Sequence, residues 1–371
     1  MFRSTILVLL SVFCGCQKEL ELSNETSNNS LLQPFAGTSM GYKDGPVLEA
    51  QFQFPILIAA APDKTLFVVE NTYLWSNFAL QGGSRIRKIS LSGIVSTFYD
   101  LKTTDLEKNT IRGIAVDKNS FVFISEGDQI KKISTDGSQV TVVAGDGSTA
   151  TMKDGPALTA SFWEPNGLAF DKNGCLYIMD TRNNAVRLLT GGKVSTLAGG
   201  NRDFNPESPL DFEGPEDGTG RQAEFDFPKF LTLDERANVY VAGGLFALVR
   251  KITSTGTVST ILRQTSTFDS DNLDTFRGIT GPHKGRLYFN GIFHDIAGTN
   301  FLFYARNFNL IDNQQTTLLS DTYDVDGNDN GQSYPSPMEH GLNVPNGMVI
   351  VDNTLYICNT GESRIRKIAL N

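Results

Sequence analysis

The chain has 371 residues, 40% apolar and 20% charged, which supplies ample material for a globular core. A formal charge of −9 argues against nucleic acid as the main partner, because phosphate binding needs a net basic face. Four cysteines, two of them in the first sixteen residues, exclude a disulfide-dense scaffold, and 35 glycines with 25 phenylalanines favour short strands joined by tight turns.

Met1-Phe2-Arg3 is a short basic start, and residues 6–13 form an apolar run broken by Ser11, too short to span a bilayer. The run closes on Phe13-Cys14-Gly15-Cys16 and turns polar at Gln17-Lys18-Glu19. This resembles a bacterial lipoprotein signal over residues 1–15, with Gly15 as the small residue before an acylated Cys16. Cys14, where Ala or Ser is commoner, and Phe13 in place of Leu depart from that pattern; an ordinary secretory signal cut nearby is the alternative. The resemblance implies export and a lipid anchor in the outer membrane without a transmembrane helix. Gln17-Lys18-Glu19 and Glu21 also resemble the acidic surface-export tags of Bacteroidetes lipoproteins, which implies the cell surface. Residues 16–31 are rich in Ser, Asn and Glu with no apolar period and are expected to form a flexible tether.

From residue 32 onward the chain repeats itself. Glu164-Pro165-Asn166-Gly167-Leu168-Ala169-Phe170-Asp171 is echoed by Ile111-Arg112-Gly113-Ile114-Ala115-Val116-Asp117 and by Phe227-Pro228-Lys229-Phe230-Leu231-Thr232-Leu233-Asp234. Phe54-Pro55-Ile56, Phe276-Arg277-Gly278-Ile279 and Val344-Pro345-Asn346-Gly347-Met348 complete six copies. Each is followed by a second strand-like run such as Leu176-Tyr177-Ile178-Met179-Asp180. A basic-apolar run such as Arg85-Ile86-Arg87-Lys88-Ile89 comes third, and a run such as Lys193-Val194-Ser195-Thr196-Leu197-Ala198-Gly199 comes fourth. In the diverged fifth copy the third and fourth strands are expected over residues 301–304 and 316–319. Four short strands per unit and six units predict an all-β, six-bladed β-propeller over residues 32–371. The third runs recur at one place in five blades and read as solvated strand edges.

Copy six stops after its third strand, while the orphan Leu32-Gln33-Pro34-Phe35-Ala36-Gly37 resembles the fourth strand Val140-Thr141-Val142-Val143-Ala144-Gly145. The N-terminal strand is therefore expected to complete blade six and close the ring, leaving no open sheet edge. Pro34 fits an outermost strand, which tolerates one lost ladder bond. In its Pro-Asn-Gly-Leu-Ala-Phe-Asp, Leu-Tyr-Ile-Met-Asp-Thr, Arg-Ile-Arg-Lys-Ile and Val-Ser-Thr-Leu-Ala-Gly runs the chain resembles the NHL-repeat family. That resemblance is specific for fold; the family includes RNA-binding and protein-binding modules, lyases and many exported bacterial proteins.

In a propeller the innermost strand lines the central channel. The residue after the Pro position and the last residue of the second strand are expected at one channel mouth. The first set is Ile56, Arg112, Asn166, Lys229, Arg277 and Asn346; the second is Glu70, Glu126, Asp180, Gly243, Gly291 (or Asn290) and Asn359. Arg112, Lys229 and Arg277 could hold a carboxylate, phosphate or uronic acid. The competing reading is pairing inside the blades, Arg112 with Glu126 and Asp180 with turn amides near Asn183 and Asn184. Arg277 has no matching acid in its blade.

Other chemistry is sparse. Pro165-Asn166-Gly167 and the following strand also resemble gluconolactonase-like propellers, which implies one divalent ion held by a Glu, an Asn and an Asp. Asn166 or Asn346 would supply the amide and Glu70 an acid, but Arg112, Lys229 and Arg277 oppose a cation. Asp326-Gly327-Asn328-Asp329-Asn330-Gly331 matches the first half of a calcium loop, with Asp326, Asn328 and Asn330 as ligands. Its twelfth position is Pro337 rather than Glu, so a polar connector is the alternative. His283, His294 and His340 lack metal-type spacing, no Gly-x-Ser-x-Gly elbow occurs, and Gly218-Thr219-Gly220 lies in a polar connector. Cys175 and Cys358 fall in blades three and six, too far apart for a disulfide.

These observations lead to a lipid-anchored envelope protein whose propeller binds a glycan, an anionic small molecule or a partner protein. A structural scaffold in an envelope assembly is the second expectation, and a calcium-dependent gluconolactonase-like or lyase-like enzyme the third.

Overall fold

A computed structural model describes residues 32–71, 74–76, 79–103, 110–148, 151–201, 215–244, 247–263, 275–294, 300–324, 342 and 344–370. The leader, Cys16, the tether and the calcium-loop residues Asp326, Asn328 and Asn330 lie outside the described residues.

Six antiparallel sheets follow one another along the chain. Blade one is built from Pro55–Ala60, Leu66–Asn71, Ala79–Ile89 and Ile94–Thr103; blade two from Ile111–Val116, Val122–Glu126, Gln129–Ile133 and Val140–Ala144. Blade three comprises Pro165–Phe170, Leu176–Asp180, Ala185–Thr190 and Lys193–Gly199; blade four Pro228–Leu233, Val239–Gly243, Leu248–Ile252 and Thr257–Arg263. Blade five comprises Thr275–His283, Arg286–His294, Asn300–Asn309 and Gln315–Asp324. Blade six has Pro345–Val351, Thr354–Asn359 and Arg364–Ala369, with Gln33–Ala36 paired outside Arg364–Ala369. The first strand of every blade packs on that of the next, and blade six returns to blade one. This is the expected propeller, closed by the N-terminal strand.

The blades are held by apolar packing between their faces. Among the described residues six buried clusters occur, each shared by two neighbouring blades. One joins Phe67, Val69 and Ile86 of blade one to Ile114, Val122 and Ile124 of blade two. A blade thus buries both faces, which is why Leu176–Asp180 is buried at every position rather than alternately. Inner strands also approach very closely: a Cβ on Gly113 would lie 1.9 Å from the Asn166 carbonyl oxygen, so this position admits only glycine.

Two features were not legible beforehand. Gly45–Pro46, Gly155–Pro156 and Gly218–Thr219 add a short fifth strand outside blades one, three and four. The basic third strands are not simply solvated edges, which corrects the sequence reading. Opposite the middle of the second strand every blade carries a cation in the same register: Arg87, Lys131, Arg187, Arg250, Arg306 and Arg366. Arg87 and Arg187 are fully buried, and Arg250 and Arg366 nearly so.

In blades one, three and four this arginine pins the preceding connector. Arg187 donates to the carbonyls of Ser161 and Lys153 at 3.1 and 2.9 Å, to Asp180 at 2.5 Å and to Asp154 at 2.8 Å. Arg87 does the same with Gln51, Lys43, Glu70 and Asp44, and Arg250 with Glu224, Glu216 and Asp217. Each guanidinium also lies 5.1–5.5 Å from a buried ring, Phe52, Phe162 or Phe225, placed eight residues after its connector aspartate. The aspartate in turn accepts from Thr97, Thr196 or Thr260 on the fourth strand.

Breaking a buried pair from one side leaves a desolvated charge. Arg187→Met is expected to lower stability by about 3–5 kcal/mol in urea unfolding, because Asp180 is left buried and unpaired. The double change Arg187→Met/Asp180→Leu is expected to recover part of that loss, since no lone charge remains.

Candidate functional site

The inner strands bring the six aligned residues to one circle around the channel. In every blade the ladder slips directly after one aligned pair between the first and second strands. Pro55 pairs with Glu70, Ile111 with Glu126, Pro165 with Asp180, Pro228 with Gly243, Phe276 with Gly291 and Pro345 with Asn359. Ile56, Arg112, Asn166, Lys229, Arg277 and Asn346 sit at the slips, and a bulged residue is re-aimed out of the ladder. In four blades the residue before the strand proline is left-handed: Phe54, Glu164, Phe227 and Val344, with φ of 48, 48, 42 and 49°. These non-glycine residues store backbone strain at one rim of the channel.

Two of the aligned acids are turned away from the opening. Glu70 is fully buried and accepts from the Gln53 amide at 2.9 Å and from Arg85 at 3.0 Å as well as from Arg87. Asp180 is fully buried too, accepting from the Trp163 amide at 2.8 Å and from Asn183 at 2.9 Å besides Arg187. Burial pushes both carboxyls up, that of Asp180 to about 6, against the pull of their arginines. The expected turn contact through Asn183 is present, whereas Asn184 accepts from the Phe227 amide instead. Glu126, also buried, takes Lys131 at 2.6 Å. Arg112 donates to the Gly127 carbonyl at 3.4 Å.

The amides serve the ring itself. Asn166 donates to the Glu164 carbonyl and to Thr181, both at 2.9 Å, and Thr181 donates to the Pro228 carbonyl of the next blade at 2.7 Å. Asn346 repeats this with Val344 and Thr360, whose hydroxyl donates to the Pro55 carbonyl across the closure. Asn359 is fully buried at the end of its strand.

What faces the channel is therefore cationic on one side. Blades four and five carry Lys229 and Arg277 where the paired second-strand residues are Gly243 and Gly291. Among the described residues neither cation has a carboxylate within ion-pair distance, and the Arg277 Nε is buried with no hydrogen-bond partner. The Lys229 amine is pushed down by its surroundings first and by Arg277 second; Arg182 adds to this and Glu164 opposes it. Burial alone pushes Arg277 down. Glu164 is itself engaged by Arg182 at 2.8 Å, with the Arg182 guanidinium 5.6 Å from the Trp163 ring. Trp163 and Arg182 occupy positions that differ from blade to blade, and Glu164 takes a place held by Phe54, Phe227 and Val344 in other blades, so the repeat marks none of the three as a site residue. Behind Lys229, where blades one and three place a carboxylate, Gly243 leaves a small cavity lined by Phe225, Asp226, Pro228 and Arg250.

The divalent-ion set implied by gluconolactonase-like propellers does not fit. Both Glu70 oxygens are taken by guanidinium and amide donors, and Asn166 and Asn346 are consumed by the ring. Among the described residues no three His, Cys, Asp or Glu side chains are grouped as metal ligands. Cys175 and Cys358 are free thiols, as expected from their blades.

If Arg277 presses on Lys229 electrostatically, Arg277→Gln is expected to raise the pH at which the Lys229 amine titrates, toward the usual lysine range. NMR of reductively 13C-methylated protein reads this directly; an unmoved titration would separate the two side chains.

No family model matches the chain, and no curated protein matches it. Among solved structures it is similar to a streptogramin B lyase, at 14% identity over 92% of this chain and 97% of that one, with a TM-score of 0.49. It is also similar to a gluconolactonase from Xanthomonas campestris, at 18% identity over 91% and 98% of the two chains, with a TM-score of 0.47. A third similarity is to a protein of unknown function from Bacteroides thetaiotaomicron VPI-5482, at 14% identity over 91% of this chain and 75% of that one, with a TM-score of 0.42.

Proposed function

We propose that this protein is an exported binding module that takes an anionic ligand at the channel mouth, on the side of blades four and five. The observation that carries this is the pair Lys229 and Arg277. Two neighbouring inner strands present cations to the channel; among the described residues no carboxylate lies within ion-pair distance of either, and one buried guanidinium donor is left without a partner. A buried donor without a partner is costly, and a ligand carboxylate or phosphate supplies the missing acceptor. In a chain of charge −9 such a site stands out locally and would be selective for small acids rather than for a polyanion. Placement in the NHL-repeat family, lipidation at Cys16 and a place in the outer membrane belong to the same proposal. Their support is the repeated motifs and the leader residues.

A second reading has its own observation. Leu48, Leu91 and Ile94 are 63%, 71% and 42% exposed around the turn where Pro46 pairs with Ile94 on the outer edge of blade one. Exposed leucines gathered at one rim favour an envelope scaffold that contacts another protein there.

Thermal unfolding of the purified chain distinguishes these. Oxalate, malonate, uronic acids and phosphosugars are compared with neutral glycans, with calcium and with a chelator. A small acid at about 100 times its Kd is expected to add about 2.7 kcal/mol of stability, visible as a raised midpoint, and Arg277→Ala is expected to remove the shift. A drop in midpoint on adding chelator would favour a metal-dependent enzyme, and no shift with any small molecule would favour the scaffold.

A further inference from the structure

We propose that the cleft between blades two and three is a saccharide site, which takes the apolar face of a neutral pyranose on an aromatic floor and its hydroxyls at a polar rim. The cleft lies at the end of the blades opposite the channel mouth. Arg112 stands at the start of the inner strand Ile111–Val116, and Asp117, Lys118 and Asn119 follow its far end. The cavity measures about 440 Å³, within the roughly 300–1,000 Å³ range of small-molecule sites.

One change in the repeat opens it. Five blades carry a bulged residue at the same register slip of the fourth strand: Phe98, Val143, Leu197, Ile261 and Leu318. Valine is the smallest of these. In blade one Phe98 covers Phe67, edge to face at 4.8 Å, and Phe67 is buried. Phe123 takes the place of Phe67 in blade two, and there Val143 is too short to cover it. Phe123 stays half-buried and meets Phe170 of blade three instead, edge to face at 4.9 Å. These two rings, with Leu176 and Leu189, form the apolar floor.

The rim carries Asp117, Asn119, Asp171 and Asn173 together with Lys118. Oδ1 of each aspartate is held by two backbone amides: Asn119 and Phe121 at 2.9 Å for Asp117, and Asn173 and Cys175 at 2.9 and 2.8 Å for Asp171. Among the described residues Oδ2 of Asp117 has no hydrogen-bond partner and is left to accept from a ligand. Two carboxylates disfavour an anion here. A cation gains little either, because Lys118 shares the rim and the Lys132 Nζ already lies 5.8 Å from the Phe123 ring. The lining therefore suits an uncharged ligand with one apolar face and several hydroxyls. A pyranose with equatorial hydroxyls has that form. Its axial C–H bonds meet the negative face of a phenyl ring, and its hydroxyls donate to carboxylates and accept from side-chain amides.

NMR of the full chain, labelled at valine and leucine methyl groups, reads this site residue by residue. Cellobiose is the probe, and sorbitol is the matched polyol without a ring face. Cellobiose raised to about 50 mM, fifty times a millimolar Kd, is expected to shift the Val143, Leu176 and Leu189 methyl signals to saturation, while sorbitol leaves them in place. Val143→Phe rebuilds the blade-one arrangement over Phe123 and is expected to abolish the Leu176 and Leu189 shifts. Asp117→Asn keeps the acceptor that the turn needs and is expected to weaken cellobiose binding about tenfold. No saturable shift with cellobiose, an equal shift with sorbitol, or an affinity unchanged in either folded variant overturns the proposal. Shifts at Leu176 and Leu189 with butylammonium or oxalate but not with cellobiose overturn it as well, and give the cleft to a charged ligand.

Discussion

A cation buried within a stacked sheet is the constraint on which much of this structure turns. Arg87 and Arg187 have lost all contact with water, so each must find acceptors inside the protein or cost several kcal/mol. A strand ladder has none to spare, since its carbonyls are taken by neighbouring strands. The acceptors come instead from the connector that precedes the blade: two carbonyls, one aspartate and the face of one phenylalanine. Satisfying the arginine therefore fixes the path of that connector, adds the short fifth strand and delivers the chain to the inner strand through a left-handed residue.

The mouth of the channel inherits its character from the same arrangement. Where the second strand places Glu70 or Asp180 opposite the slip, the acid is drawn outward to an arginine and neutralised away from the opening. Where the residue at that position is Gly243 or Gly291, it supplies no acid to be drawn, and among the described residues the bulged cation of that blade has no carboxylate within ion-pair distance. The amides at the equivalent positions of blades three and six tie neighbouring blades together through Thr181 and Thr360. One repeat position thus carries structural amides in some blades and uncompensated cations in others. The asymmetry of the ring, rather than the repeat itself, makes one side chemically distinct.

Much of the architecture was legible in the residues. Six recurrences of the inner-strand motif, a glycine two residues after the register position in several copies, and a fourth-strand sequence displaced to the N-terminus specify blade number and closure, because each follows from local strand chemistry repeated along the chain. The alignment also placed Arg112, Lys229 and Arg277 on one circle, since equivalent residues of equivalent strands occupy equivalent places. The state of those residues was not legible. Arg187 and Lys131 hold the same register position in similar basic runs, yet Arg187 is buried and Lys131 is only partly so. What separates them is whether a connector 26 to 34 residues earlier in sequence folds back over the strand, as it does for Arg187.

The sequence by itself determined the period, the number of blades, the closing strand and which residues share a position around the axis, because strand alternation and repeat spacing are properties of the chain. Only the tertiary structure decided which of those residues are paired. Glu70 and Asp180 are consumed by arginines of the adjoining strand and by connector amides, and Asn166 and Asn346 by threonines that bond the next blade, while among the described residues Lys229 and Arg277 meet no carboxylate within ion-pair distance. Ion pairing and hydrogen bonding act over a few ångströms in space, and the residues that meet at that range here come from different strands and connectors, whose facing is set by the fold and not by the repeat spacing.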